Sequence, residues 1–291
     1  MKAPPFHYHA PRSLPEALDL LRRLDNARVL GGGQSLMPML NLRVATPDHL
    51  IDLGRIPELA GIEEGDRVIS IGSMTTQRCI ERSPVIRRQC PLLAEAIDHV
   101  GHQQTRNRGT VGGSLCHLDP SAELPVAALA LEAELTIAGS TGARMLPFRE
   151  FPAGYLTVAL GADEILTRID IPKMAPGSGS AFVEFSRRPA DFAIVSVAVQ
   201  LSLDCGGRLT GAAIAVGGIG YAPIRLVEAE NGMIGRYPTN DLFETVSEMT
   251  ASLGCEGDEL YPAEYRRDLC GVLVERALAQ AAERAGALAN V

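Results

Sequence analysis

The stretch Arg106-Asn107-Arg108-Gly109-Thr110-Val111-Gly112-Gly113-Ser114, continued by Leu115-Cys116-His117-Leu118-Asp119-Pro120-Ser121-Ala122-Glu123-Leu124-Pro125, is the most informative part of the chain. A glycine pair stands beside threonine and serine hydroxyls, and an acid follows at Glu123. Glycine lacks a Cβ and tolerates positive φ, so its amides can turn toward one anion. Hydroxyls add donors, and a carboxylate accepts from hydroxyl or amine groups. Together they suit a phosphate joined to a sugar or an adenine edge. The competing reading of Glu123 is an acid in the first turn of a helix, where the dipole favours it. Residues 101–114 read as a polar, glycine-rich loop and 123–133 as a helix.

Upstream, Val29-Leu30-Gly31-Gly32-Gly33-Gln34-Ser35-Leu36 runs from a strand through three glycines into a short helical turn interrupted by Pro38. A pyrophosphate suits such a nest, with Ser35 as a further donor. The competing reading is a tight strand–helix turn with no ligand. A Rossmann fingerprint is excluded: Leu36 stands where the third glycine belongs. Asp52 imitates the ribose-binding acid, but Pro38 and Pro47 leave little room for a crossover helix. The pattern GxxxxGK[ST] is absent. Two phosphate-friendly loops imply an extended ligand, such as a dinucleotide, gripped from two sides.

Around these loops, Ser13 and Glu16 form a capping box, and Leu14, Ala17, Leu18, Leu21 and Leu24 follow at helical spacing. Strands are expected at 28–30, 49–53, 67–72, 135–138 and 164–171, closed by Pro172, and helices at 74–82 and 91–100. Residues 172–180 mix Pro, Gly and Ser and read as a linker. Strand-like runs at 181–186, 193–203 and 208–216 follow, and helices finish the chain, the last over 264–285. The class is α+β, a larger glycine-rich region followed by a smaller one, with the cleft between them as the expected ligand site.

The 291 residues carry 27 Lys+Arg against 35 Asp+Glu, a net charge of −8. That balance argues against nucleic acid as a partner. The absence of a run of about 18 apolar residues argues against a transmembrane segment, and the N-terminus lacks the apolar core of a secretory signal. The cysteines at 79, 90, 116, 205, 255 and 270 form no CxxC pair, which excludes an iron–sulfur or zinc motif and fits free thiols in the cytoplasm. Trp is absent and aromatics are 4 %, so a flat cofactor must be held mainly by backbone and aliphatic groups. His99 and His102 form an HxxH pair without a nearby acid, and read as ordinary histidines. No metal ligand set and no nucleophile–base constellation is found.

The chain resembles the medium, FAD-binding subunits of the molybdenum hydroxylases, the carbon monoxide dehydrogenase and xanthine dehydrogenase family. Residues 31–43 resemble their first FAD loop and 106–125 their second. Residues 164–172, 185–195 and 217–225 continue the match in order. The resemblance implies a PCMH (vanillyl-alcohol-oxidase-type) FAD-binding domain over 1–176. A C-terminal domain over 177–291, a three-stranded sheet with helices, is implied to follow. It implies an oxidoreductase subunit that passes electrons from [2Fe–2S] clusters through FAD to an external acceptor. The clusters belong to a small partner subunit and molybdopterin to a large one that selects the substrate, in a dimer of heterotrimers.

Carried over by position, Val29, Leu30, Gly31, Gly32, Gly33, Gln34, Ser35 and Leu36 line the FAD. Residues 31–35 surround its pyrophosphate. Thr110, Gly112, Gly113 and Ser114 form the second loop. Glu123 takes the carboxylate position near the ribityl or nucleotide part, Leu166 makes a backbone contact, and Phe192 covers the isoalloxazine. Ser114 stands where several members carry Asn or Asp, and Phe192 where some carry Tyr or Trp. Two rival classes remain at this level: a stand-alone FAD oxidase or reductase on the same fold, and a non-catalytic nucleotide-binding protein.

Overall fold

The computed structural model describes residues 2–286. Strand β1 (His7–His9), helix α1 (Leu14–Arg23), β2 (Ala27–Leu30), α2 (Leu36–Asn41) and β3 (His49–Asp52) come first. The three strands form a parallel sheet in the order β1-β3-β2. Ser13 Oγ accepts from the Glu16 amide at 3.4 Å, and Glu16 reaches back to the Arg12 amide at 2.8 Å. This cap starts α1, whose Ala17 and Leu21 are buried.

Next come β4 (Ile62–Glu64), β5 (Val68–Gly72), α3 (Gln77–Arg82), α4 (Pro84–Gln89) and α5 (Pro91–His99). Then follow α6 (Gln103–Arg108), α7 (Val111–His117), α8 (Glu123–Ala130), β6 (Glu134–Gly139) and β7 (Gly142–Pro147). A small hairpin, β8 (Pro152–Gly154) and β9 (Thr157–Val158), precedes β10 (Ile165–Pro172). These build an antiparallel sheet in the order β4-β5-β10-β6-β7. Ile69, Ile71, Leu135, Ile137 and Ile169 pack its inner face against α5 and α8.

Residues 101–114 are not a loop. Arg106 donates to the carbonyls of Val100 at 2.9 Å and Gly101 at 2.7 Å, and bonds Glu81 at 3.0 Å. These bonds anchor α6 where its own residues bury nothing. Thr110 then caps α7. Pro172 does not close β10 from outside but is its last residue, and the link is reduced to residues 173–177.

The C-terminal part holds β11 (Ser178–Ser186), β12 (Ala193–Leu203), β13 (Leu209–Gly217) and β14 (Ile224–Arg225). They form an antiparallel sheet in that order: three long strands and a two-residue edge. Helices α9 (Val227–Met233), α10 (Asn240–Met249) and α11 (Ala263–Arg284) follow. Side chains alternate between sheet faces, and here both faces are covered. Val195, Val197, Val199, Ile214 and Val216 face α10 and α11. Phe182, Ala198 and Ala215 join the core of the N-terminal part instead. Helix α8 is therefore packed between two sheets. All eight of its residues are buried, which is why its sequence shows no polar stripe.

Candidate functional site

Strand β2 delivers the chain into Gly31-Gly32-Gly33. Gly33 sits at φ +73°, a left-handed conformation that favours glycine. The amides of Gly32, Gly33, Gln34 and Ser35 donate to no group among the described residues. Gln34 folds back on the Gly32 carbonyl at 3.2 Å. Ser35 precedes α2, and its hydroxyl does not cap the helix. The three glycines and Gln34 border a cavity of about 350 Å³ that Leu30 and Arg108 also line. Val29, at the core end of β2, packs beneath with Ile51 and Ile165, and Leu36 opens α2. Arg108 was missed by the sequence reading, although it lies within the quoted stretch. It brings a cation to amides that have no internal acceptor, and that combination suits a diphosphate.

The two glycine segments touch. A Cβ on Gly31 would lie 3.0 Å from Thr110 Oγ1 and 3.8 Å from Gly113 Cα. One on Gly32 would overlap the Arg108 carbonyl and approach Gly109 Cα to 2.6 Å. The second segment works differently from the expected amide nest. Its amides are already committed: Val111 to Thr75 O at 3.1 Å, Gly112 to Ser73 O at 2.8 Å, Gly113 to Thr110 Oγ1 at 3.1 Å and Ser114 to Thr110 O at 3.1 Å. What it offers is hydroxyls and bare surface. Gly113 is exposed and Ser114 half-buried. Gly112 is glycine for packing, because its Cβ would meet Ser73 Cβ at 2.6 Å. Beside it, Ser73 Oγ and Gln77 Oε1 are buried without a hydrogen-bond partner among the described residues.

Glu123 opens α8 and is 7 % exposed. Burial pushes its carboxyl up to about 8, with the nearby Glu184 adding to the rise and His99 opposing it. Leu166, in β10 beside a register shift, is buried. Phe192 is 68 % exposed. It lines a second cavity of about 230 Å³ with Ser121, Arg187, Asp191, Tyr261 and Arg266. Arg266 holds this region together by donating to the carbonyls of Ile194 at 2.7 Å and Gly218 at 2.8 Å. The stretch 106–125 thus reaches from the first cavity, through Arg108, to the second, through Ser121.

The two histidines of the HxxH pair have separate surroundings. His99 Nδ1 pairs with Glu184 at 3.2 Å, and His102 is exposed ahead of α6. His117 stands 4.0 Å from Asp119. Among the described residues no group of three or more His, Cys, Asp or Glu is placed to hold a metal ion. The cysteines are free, and burial pushes Cys90, Cys116 and Cys270 up to about 12, away from reactivity. No helix among the described residues is long and apolar enough to cross a membrane.

The family described as the FAD binding domain in molybdopterin dehydrogenase matches residues 4–174, and the CO dehydrogenase flavoprotein C-terminal domain matches residues 180–281. The 6-hydroxypseudooxynicotine dehydrogenase complex subunit alpha of Paenarthrobacter nicotinovorans is 39 % identical over 98 % of this chain and 97 % of its own. The carbon monoxide dehydrogenase medium chain of Hydrogenophaga pseudoflava is 34 % identical over 96 % and 97 %. The solved carbon monoxide dehydrogenase of that organism superposes with a TM-score of 0.94, at 36 % identity over 98 % of this chain and 99 % of the other. Quinoline 2-oxidoreductase from Pseudomonas putida 86 superposes at 0.93, with 35 % identity over the same shares. With free amides, a facing arginine and matches along nearly its whole length, the chain belongs to the FAD-binding medium subunits of the molybdenum hydroxylases, a family of oxidoreductases.

Proposed function

We propose that this chain is the electron-transfer flavoprotein of a heteromeric molybdenum hydroxylase. The observation that carries the reading is the first glycine loop, where residues 32–34, whose amides are free, and Arg108 border one cavity. On this reading Gly31 to Ser35 hold the diphosphate, and Arg108 neutralises its charge. Thr110 and Ser114 supply hydroxyl donors, and exposed Gly113 lets the ligand lie against the backbone. Glu123 accepts from ribityl or nucleotide hydroxyls, Val29, Leu30, Leu36 and Leu166 supply apolar and backbone contacts, and Phe192 screens the ring. The bound FAD would supply two-electron and one-electron redox chemistry, for which no side chain here substitutes.

Residues 1–176 and 177–291 are taken as the two domains. The names of the relatives, a medium chain and a subunit of a dehydrogenase complex, support a small iron–sulfur partner and a large molybdopterin partner. We place them in a cytoplasmic dimer of heterotrimers, with an external acceptor taking the electrons. The test is purification of the native complex under mild conditions. The expected preparation contains three polypeptides, FAD, molybdenum and a [2Fe–2S] signal. A chain that purifies alone and reduces its flavin with an organic substrate would overturn the assignment in favour of a stand-alone oxidase.

A further inference from the structure

Three of the six histidines meet on one face of the parallel sheet. Strands β1 and β3 pair His7 with His49 and His9 with Ile51. Side chains alternate between faces, so His7, His9 and His49 share the side on which Ile51 packs with Ala17 and Leu21 of α1. The His7 ring stacks on that of His49, with centroids 5.2 Å apart and planes inclined by 24°. His9 Nε2 lies 3.1 Å from His49 Nδ1, within hydrogen-bond distance. His9 and His49 are half-buried, and His7 is exposed.

This contact counts protons. An N–H···N bond needs one donor and one acceptor, and a neutral imidazole carries one of each. The His9–His49 bond therefore forms when both rings are neutral and when one is protonated. With two protons the facing nitrogens are both donors, and attraction becomes repulsion. A charge on His7, stacked on His49, adds to that repulsion. The neighbouring acids are engaged elsewhere. On the α1 side Glu16 accepts from the Arg12 amide, Glu58 from the Leu14 amide, and Asp19 pairs with Arg22 and Arg23. Asp48 accepts from Asn26 Nδ2 at 2.9 Å. Asp52, and Arg28 on β2 in register with Leu50, belong to the opposite face of the sheet. Burial, with His49 and His7 adding to it, holds the His9 imidazole below its ordinary value of 6.5.

The strand that this bond secures has little else to hold it. β1 has three residues, lies at the edge of its sheet and pairs with β3 alone among the described strands. On the opposite face the Tyr8 hydroxyl donates to Asp52. Asp52 pairs in turn with Leu30, which lines the first cavity. We propose that His7, His9 and His49 form an acid-sensitive latch, which fastens β1 to β3 while His9 and His49 share no more than one proton and releases the strand when they hold two. Release takes the Tyr8 hydroxyl away from Asp52 beside the first cavity. The inference does not depend on what fills that cavity.

The test is hydrogen exchange of the full-length chain at pH 7.5 and pH 5, corrected for intrinsic rates, with α11 as the internal reference. Protection of residues 7–9 is expected to fall by about tenfold or more at pH 5, relative to α11. His9→Gln and His49→Gln each remove one titrating partner and are expected to abolish that fall. Unchanged protection of 7–9 at pH 5 would overturn the proposal. So would an equal fall in α11, which marks general acid unfolding, or a fall of the same size in the variants. A second readout needs no variant: the imidazoles of the wild-type chain are titrated by NMR. His9 and His49 are expected to take up protons in two steps about one pH unit or more apart. A single shared step at the ordinary histidine value would overturn the latch by itself.

Discussion

Gly32 and Arg108 are in backbone contact: the position a Cβ would take on Gly32 is occupied by the Arg108 carbonyl. The loop that offers free amides and the helix end that carries the facing cation are thereby a single packed unit. Gly32→Ala must push α6 and α2 apart. Its expected effects are a destabilisation of about 1–3 kcal/mol and loss of stoichiometric FAD. Gly232→Ala is the control, in α9 with open space around it, and should stabilise by roughly 0.5–1 kcal/mol. Thermal melts and flavin content of the two variants check both.

The raised carboxyl of Glu123 makes the FAD-free protein sensitive to alkali. Between the ordinary value of 4.5 and about 8, the unfolded chain loses a proton that the folded chain keeps. Stability therefore falls as pH rises through that window and levels off above it. Glu123→Gln should remove most of this slope, raising stability at pH 8 on the order of 3 kcal/mol. Denaturant unfolding of the deflavinated chain at pH 5, 6.5 and 8 measures it. A slope unchanged in the variant would exclude Glu123 as its source.

Glu81 behaves oppositely. The Arg106 guanidinium, with Arg78 adding to it, holds its carboxyl down at about 2. The associated stability is complete above 4.5 and is lost as pH falls toward 2. Arg106 also carries the Val100 and Gly101 carbonyls through Nη1 while Nε and Nη2 bond Glu81, a spread of donors that a lysine ammonium does not reproduce. Arg106→Lys should cost about 2 kcal/mol at pH 7 and loosen the entry to the second loop. Hydrogen exchange across 101–117 should show raised opening there and little change in the C-terminal sheet.

Phe192 projects into solvent, so Phe192→Ala should leave the FAD-free chain within about 0.5 kcal/mol of wild type. Its effect should appear only with flavin present, as greater quenching of flavin fluorescence by iodide. A large loss of stability without flavin would make Phe192 a packing residue instead.

Much of this architecture is legible in the residues. The capping box at Ser13 and Glu16, the apolar strands and the three-glycine turn each rest on local chemistry, and local chemistry is what a sequence displays. Helices α6 and α7 were hidden because Gly109, Gly112 and Gly113 look like helix breakers. Two of those glycines are there for close packing, Gly109 against Gln77 and Gly112 against Ser73. Strand β7 went unseen since residues 142–145 are exposed and show no apolar alternation. Of the site, Gly31 to Ser35 could be read directly, whereas Arg108 acquires its place only when the loops meet.

The double burial of the C-terminal sheet bears on how such proteins can be recombined. Its inner face is a mould of α5 and α8, with Phe182, Ala198 and Ala215 fitted to them and Gly217 cleared for Val126. A chimera that swaps in another relative's segment after residue 177 would inherit a surface cut for a different template. Exchange between family members should succeed only when the footprint under α8 travels with the graft, so the two parts are expected to be inherited, and engineered, as one block.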